Sequence, residues 1–144
     1  MSRTHILAFT YKPKIKKVLS GECTQTIRKV KYSNPRTHKR WEPGDYLILH
    51  GWEGIPYRSK WSWRKKVRLK EIKPVHINHY GIMFQDEMPV RHPWDSEICD
   101  ELAKKDGIEP AKGISLRNVL ADLNGPDWEG WYAIITWEDD VDEQ

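Results

Sequence analysis

Along the chain, short apolar runs alternate with polar, turn-forming stretches, and the spacing inside each run predicts its element. His5-Ile6-Leu7-Ala8-Phe9 is short, apolar and bounded by polar residues, which predicts a strand. Pro13 suits a first helical turn, where a missing N–H costs nothing. Ile15, Val18 and Leu19 follow at i, i+3 and i+4 as one apolar stripe, with Lys14, Lys16 and Lys17 mostly on the other faces. Gly21 would close that helix in a left-handed cap. From Cys23 to Val30 the period changes to two. Cys23, Gln25, Ile27 and Lys29 share one side, and Thr24, Thr26 and Arg28 share the other. The Thr and Ile residues favour a strand there.

Residues 31–40 are basic and contain a proline, so they are expected to form an exposed loop. Pro43-Gly44-Asp45 is a turn in which Pro fixes φ and Gly supplies a positive φ. Tyr46 to His50 follows as a buried strand, and Gly51 to Lys60 as a Gly/Pro/aromatic loop. Trp61 to Ile72 predicts a long strand, with Val67 and Leu69 alternating with Arg68 and Lys70. Val75 to Phe84 is a weaker strand, bent at Gly81, and Gln85 to Pro93 shows no clear period. Ser96 is placed to cap a helix through Lys105, and Ser115 to cap a second through Leu123. Trp131 to Trp137 is a last apolar strand before an acidic tail.

One helix, several strands, two helices and a strand make an α+β chain rather than a doubly wound parallel sheet. Several short strands around one core predict a small, partly open mixed β-barrel of about 5–6 strands with flanking helices. The 144 residues are the length of one domain, read as residues 1–138 with residues 139–144 as the tail. The mean hydropathy is −0.78, and no stretch is long and apolar enough for a membrane span. The start, Met1-Ser2-Arg3-Thr4-His5, carries no apolar signal region, and Cys23 and Cys99 do not make a disulfide framework. A reducing, cytoplasmic setting is expected.

Charge changes the picture more than hydropathy does. Residues 1–80 hold 19 Lys and Arg against 5 Asp and Glu, a balance of +14, and residues 81–144 hold 5 against 16, a balance of −11. The basic part suits phosphates, although the two parts would also neutralise each other across one fold. Four of the eight Trp, Trp41, Trp52, Trp61 and Trp63, lie in the basic part, interleaved with Arg58, Lys60, Arg64, Lys65, Lys66, Arg68 and Lys70. Aromatic faces stack on unpaired bases while Lys and Arg hold phosphates, which fits single-stranded RNA or DNA better than a duplex groove. The plainer account packs Trp61 and Trp63 in the core beside a solvated basic face. Trp52 and Trp61 are the pair expected to be exposed. His76, His79 and His92 make a poor metal site, because a spacing of three in a strand puts the first two on opposite faces. No cofactor is expected.

The run Ile15-x-x-Val18-Leu19-x-Gly21-x-x-Thr24-x-Thr26-Ile27-Arg28, followed by Pro43-Gly44-Asp45 and an apolar strand, resembles the ASCH family of the PUA-like superfamily. Glu101 to Gly107, the Ser115–Leu123 helix and Ile134-Ile135-x-Trp137 extend the resemblance over residues 5–137, with a diverged middle. The resemblance implies a small β-barrel with flanking helices. It also implies RNA binding, hydrolysis of modified nucleosides or nuclease activity, the functions to which members are linked.

Some ASCH-like proteins deacetylate N4-acetylcytidine with the pattern Gly-x-Lys-x-x-Thr-x-Arg and a carboxylate from the later helical region. Gly21, Thr26 and Arg28 match that pattern, Cys23 stands at the Lys position, and Asp106 is the candidate carboxylate. Cys23 cannot supply a positive charge. It would serve as a nucleophile only with a lowered pKa, and a small packed residue is the plainer role. Lys12, Lys14 or Lys17 on the adjacent helix are the candidates to replace the missing amine. Thr24, Thr26 and Arg28, with Lys12 and Lys17 near them, would bind a phosphate or a polar base edge. Alternatively, Arg28 pairs with a core carboxylate and the Thr residues only satisfy a strand. The expected partner is RNA or a modified nucleotide or nucleoside. A protein-interaction module that docks a basic partner on its acidic half is a further possibility.

Overall fold

The apolar run that ends at Trp137 becomes the strand on which the rest is assembled. In the computed structural model, which describes residues 3–29, 41–52 and 59–139, it forms β7, Gly130–Asp139. The strands before it are β1 Thr4–Ala8, β2 Gln25–Lys29, β3 Tyr46–Trp52, β4 Trp61–Asn78, β5 Gly81–Phe84 and β6 Arg91–Pro93. The helices are α1 Lys12–Ser20, α2 Glu97–Lys105 and α3 Gly113–Asn124. The fold is mixed α+β around one seven-stranded sheet.

β4 is the spine of that sheet. One edge pairs antiparallel with β7, and the other takes β3 along Trp61–Arg68 and β5 along Val75–Asn78. β1 adds to β3 in parallel, β2 adds to β7 antiparallel, and β6 adds to β5. The order β2-β7-β4-β3-β1 does not close by strand pairing. Side chains alternate across β7, which separates two cores. Tyr132 and Ile134 pack with α2 and α3, whereas Ala133, Ile135 and Trp137 pack with Val18 of α1 and Leu47 and Leu49 of β3. Burial on both faces explains why this strand is a continuous apolar run.

Local chemistry sets most element ends. Gly21, at φ +83°, ends α1 and returns its N–H to the Val18 carbonyl at 3.2 Å. Ser96 Oγ accepts the Cys99 N–H at 3.3 Å and caps α2. Asp45 in the Pro43-Gly44-Asp45 turn accepts the backbone N–H of Arg3 at 3.1 Å and of Glu42 at 3.0 Å, which fixes the start of β1 beside β3.

Several expectations are corrected. Gly51 and Trp52 belong to β3 rather than to a loop. A Cβ on Gly51 would collide with the Trp63 indole, so the missing side chain makes room for cross-strand packing. β4 does not stop at Ile72 but runs on through Pro74. That proline lies between the β3 and β5 pairings, where its missing N–H breaks no ladder on the unpaired edge. Gly81 does not bend a strand; it opens β5 after a turn at His79-Tyr80, whose N–H groups at Tyr80 and Gly81 bond Asn78 Oδ1. The stretch without a period contains a 3-10 turn and β6. α3 begins at Gly113, not at a Ser115 cap, because the Gly113 N–H bonds Asp100 Oδ1 at 2.8 Å. Asp139 is the last residue of β7, opposite Val67, rather than the first of a tail. The predicted loop at 31–40 and the rest of the tail lie outside the described residues.

Gly81 and Gly44 separate two costs. Both have positive φ, +150° and +97°, but a Cβ on Gly81 would collide with the His92 carbonyl whereas one on Gly44 meets nothing within 4 Å. Gly44→Ala should cost about 1 kcal/mol by urea unfolding, from strain alone. Gly81→Ala should cost about 3 kcal/mol, because backbone cannot step aside.

Candidate functional site

α1 carries lysines at 12, 14, 16 and 17, and one of them turns inward. Lys14 and Val18, at i and i+4, form its buried face, while Leu19 of the expected stripe is exposed. Lys14 is only 5% exposed. Its ammonium finds two partners: Nζ donates to Thr26 Oγ1 of β2 at 3.0 Å and lies 3.1 Å from Asp106 Oδ1.

Each partner is set by local structure. Thr26 and Arg28 lie on the β2 face that looks toward α1, opposite Ile135 and Ala133 of β7. Asp106 is the C-cap of α2, with its N–H bonded to the Leu102 carbonyl at 2.9 Å. Gly107 follows at φ +75°, where a Cβ would press to 3.3 Å from both Cys23 Sγ and Lys14 Cγ. Arg28 completes the group. Its Nε donates to Thr26 Oγ1 at 3.1 Å, one Nη donates to the Ala8 carbonyl at 2.6 Å, and the guanidinium lies 4.8 Å from the Phe9 ring centre. Two cationic groups therefore converge on one hydroxyl oxygen. That arrangement stabilises negative charge there.

These residues line a cleft of about 230 Å³, with Phe9 and Tyr11 on one wall and Val119, Leu123 and Asn124 of α3 on the other. Thr26 and Asp106 are 2% and 4% exposed. Burial pushes the Asp106 carboxyl above its ordinary pKa, against the pull of Lys14, Gln25 and Arg28. Burial also pushes the Cys23 thiol up. Cys23 Sγ donates to the carbonyls of Gln25 at 3.2 Å and Lys105 at 3.4 Å, and it does not line the cleft.

Of the sequence candidates, Thr26, Arg28 and Asp106 meet in this cleft, joined by Lys14. Thr24 precedes β2 and lines a separate cavity of about 510 Å³ under α2. Lys12 is exposed outside the cleft. Lys17 is half-buried and bonds Glu109 at 2.7 Å, which raises its pKa. The aromatic candidates gather where β3 meets β4. Trp61, 38% exposed, stacks on the buried His50 at 3.8 Å, with Trp52 edge-on to both and the Arg64 guanidinium 5.9 Å from the Trp61 ring. His50 is opposite Ala8, whose carbonyl holds Arg28, so this stack adjoins the cleft wall. Trp63 turns inward against Phe9 at 6.0 Å. Lys60 is exposed, and Arg58 lies outside the described residues.

The chain matches none of the protein-family models, the curated proteins or the solved structures with which it was compared. Among the described residues, no group of His, Cys, Asp and Glu is arranged to hold a metal ion. His76, His79 and His92 each have their own partner, Arg91, Glu129 and Glu87. Sequence reasoning missed the part His50 plays under Trp61, since no motif marks it.

Removing one member of a buried ion pair strands the other. Lys14→Met should cost about 3–5 kcal/mol by urea unfolding at pH 7. Lys14→Met combined with Asp106→Leu should recover much of that loss. The variant's Asp106, already raised by burial, titrates still higher without Lys14. A folded pKa above the unfolded one gives stability at low pH that is lost as pH rises. The Lys14→Met deficit should therefore shrink as the pH is lowered towards the ordinary carboxylate range.

Proposed function

We propose that the protein is an ASCH-type domain that takes one modified nucleoside or nucleotide into the Thr26 cleft and hydrolyses an amide on it. The observation that carries this reading is the contact of Lys14 Nζ with both Thr26 Oγ1 and Asp106 Oδ1, at 3.0 and 3.1 Å. In the pattern that the sequence resembles, the lysine stands where Cys23 stands here; Lys14 brings the amine from α1 instead. A cleft of about 230 Å³ is below the usual range for drug-sized ligands, which fits one small ligand rather than a stretch of polymer.

The chemistry follows from the contacts. A proton passes from the Lys14 ammonium to the Asp106 carboxylate and leaves a neutral amine beside Thr26. That amine takes the hydroxyl proton as Oγ1 attacks the amide carbon, and Arg28 stabilises the charge that builds on Oγ1. The C–N bond breaks, and Lys14 passes the proton to the departing nitrogen. Water then cleaves the Thr26 ester, restores the hydroxyl and releases the acid. The balance is amide plus water to amine plus acid.

A PUA-like, partly open barrel belongs to the same proposal. Its support is the Arg28–Ala8 hydrogen bond, which links β2 to β1, the two ends of the strand order. A cytoplasmic location is proposed with it, supported by two cysteines that are both buried and unpaired.

Incubation with N4-acetylcytidine, read by mass spectrometry, should show release of acetate and cytidine. Thr26→Ala and Lys14→Gln should each slow turnover about 10²–10⁴-fold. Equal turnover by wild type and Thr26→Ala would remove these residues from the site, and no turnover of acetylated cytidine by wild type would sink the reading.

A second reading is favoured by the open Trp61 ring beside Arg64: the domain holds single-stranded RNA across the Trp61 ring, which stacks on His50 and meets Trp52 edge-on. Stacking of this kind contributes about 1–3 kcal/mol per base. Single-stranded RNA should bind at low salt and weaken as salt rises, and Trp61→Ala should weaken it about tenfold or more. Absence of binding at low salt rules this reading out.

A further inference from the structure

Strand register gives β1, β3 and β4 two faces. Leu7, Leu47, Leu49 and Val67 point into the core. The opposite face sets Tyr46, Ile48 and His50 of β3 across from Arg68, Lys66 and Arg64 of β4, with the exposed Ile6 of β1 beside Ile48. Three cations thus stand at every second residue of one strand, about 7 Å apart. That spacing is close to the phosphate repeat of an extended single strand. Each cation also lies on an aromatic ring. The Arg64 guanidinium is 5.9 Å from the Trp61 ring centre, and Lys66 Nζ and the Arg68 guanidinium are 4.3 and 4.6 Å from that of Tyr46. Arg68 also donates to the Tyr46 hydroxyl. A cation held on a ring keeps N–H groups for a phosphate oxygen and has already lost much of the freedom that binding takes. Glu138 of β7, opposite Arg68, borders this face, and the β1 and β3 residues on it carry no carboxylate.

We infer that this sheet face is a phosphate track for single-stranded RNA, in which Arg64, Lys66 and Arg68 each take one phosphate and Trp61 receives a base at one end. Tyr46 is a positioning residue that holds two of the three cations. The inference rests on the RNA reading above and gives that RNA a path, from Trp61 along β4 towards Arg68. Phosphates are common to every nucleotide, so the track carries no sequence preference of its own.

The test is binding of a labelled oligouridine of about twelve nucleotides by the full chain, read by fluorescence anisotropy across a salt series. Each phosphate contact on a single strand adds about 0.7 to the slope of log affinity against log salt. Arg64→Gln, Lys66→Gln and Arg68→Gln should each lower the slope by about 0.7, and the triple variant by about 2. Lys112→Gln removes the same charge at an exposed position at the start of α3 and should leave the slope as in wild type. Tyr46→Leu should keep the slope and weaken binding about threefold to tenfold, and Tyr46→Phe, which keeps the ring, should restore most of it. Unchanged affinity in folded Tyr46→Leu overturns the positioning role. If wild type binds and Trp61→Ala weakens it while the triple variant keeps the wild-type slope, the RNA reading stands and the track is overturned. An equal loss of slope in Lys112→Gln overturns the track as well, because net charge alone then accounts for the salt dependence. Absence of binding at low salt sinks both.

Discussion

A lysine and an aspartate taken out of water together hold three separately formed elements in one place. Desolvating each ion costs several kcal/mol, and the pair recovers that cost only when the geometry is close and further hydrogen bonds satisfy what remains. Lys14 meets this condition with Asp106 at 3.1 Å and Thr26 at 3.0 Å. The requirement propagates outward. α1 must present residue 14 inward, α2 must end where its cap residue reaches the same point, and β2 must face Thr26 toward α1. Gly107 belongs to the same constraint, because a side chain there would press on both Lys14 and Cys23.

What the sequence made legible was whatever local chemistry decides. The ends of α1, the Ser96 cap, the Pro43-Gly44-Asp45 turn and the strand at Tyr46 all follow from residues within a few positions of each other. The shared face of Thr26 and Arg28 was also legible, since a period of two requires it. Thr24 departs from that face because β2 begins one residue after it. Lys14 is named beside Lys12 and Lys17 as a source of the amine, but nothing local singles it out. A helical wheel puts it among lysines, and only a carboxylate far along the chain makes its burial tolerable. The continuation of β4 through Pro74 depends on where β3 ends and β5 begins, and the start of α3 depends on Asp100 and Trp94. These are tertiary facts that no window of neighbouring residues contains.

The tryptophan excess takes on a structural meaning. Trp137 and Trp94 are buried, Trp41 stacks on His5 at 4.3 Å, and Trp63 fills the space that Gly51 leaves. Trp61 is the Trp most open among the described residues, and it lies over His50 next to the strand that carries Ala8. Aromatic mass thus goes mostly into packing the cores and the sheet and leaves one ring open.

β2 pairs with β7 and with no other strand among the described residues, Gln25 opposite Thr136 and Lys29 opposite Tyr132. The first third of the chain therefore waits for the last strand. Long-range pairing of this kind closes a large loop before any contact rewards it, and synthesis delivers the N-terminal side first. A nascent chain stopped before residue 130 holds every side chain of the cleft and has no cleft.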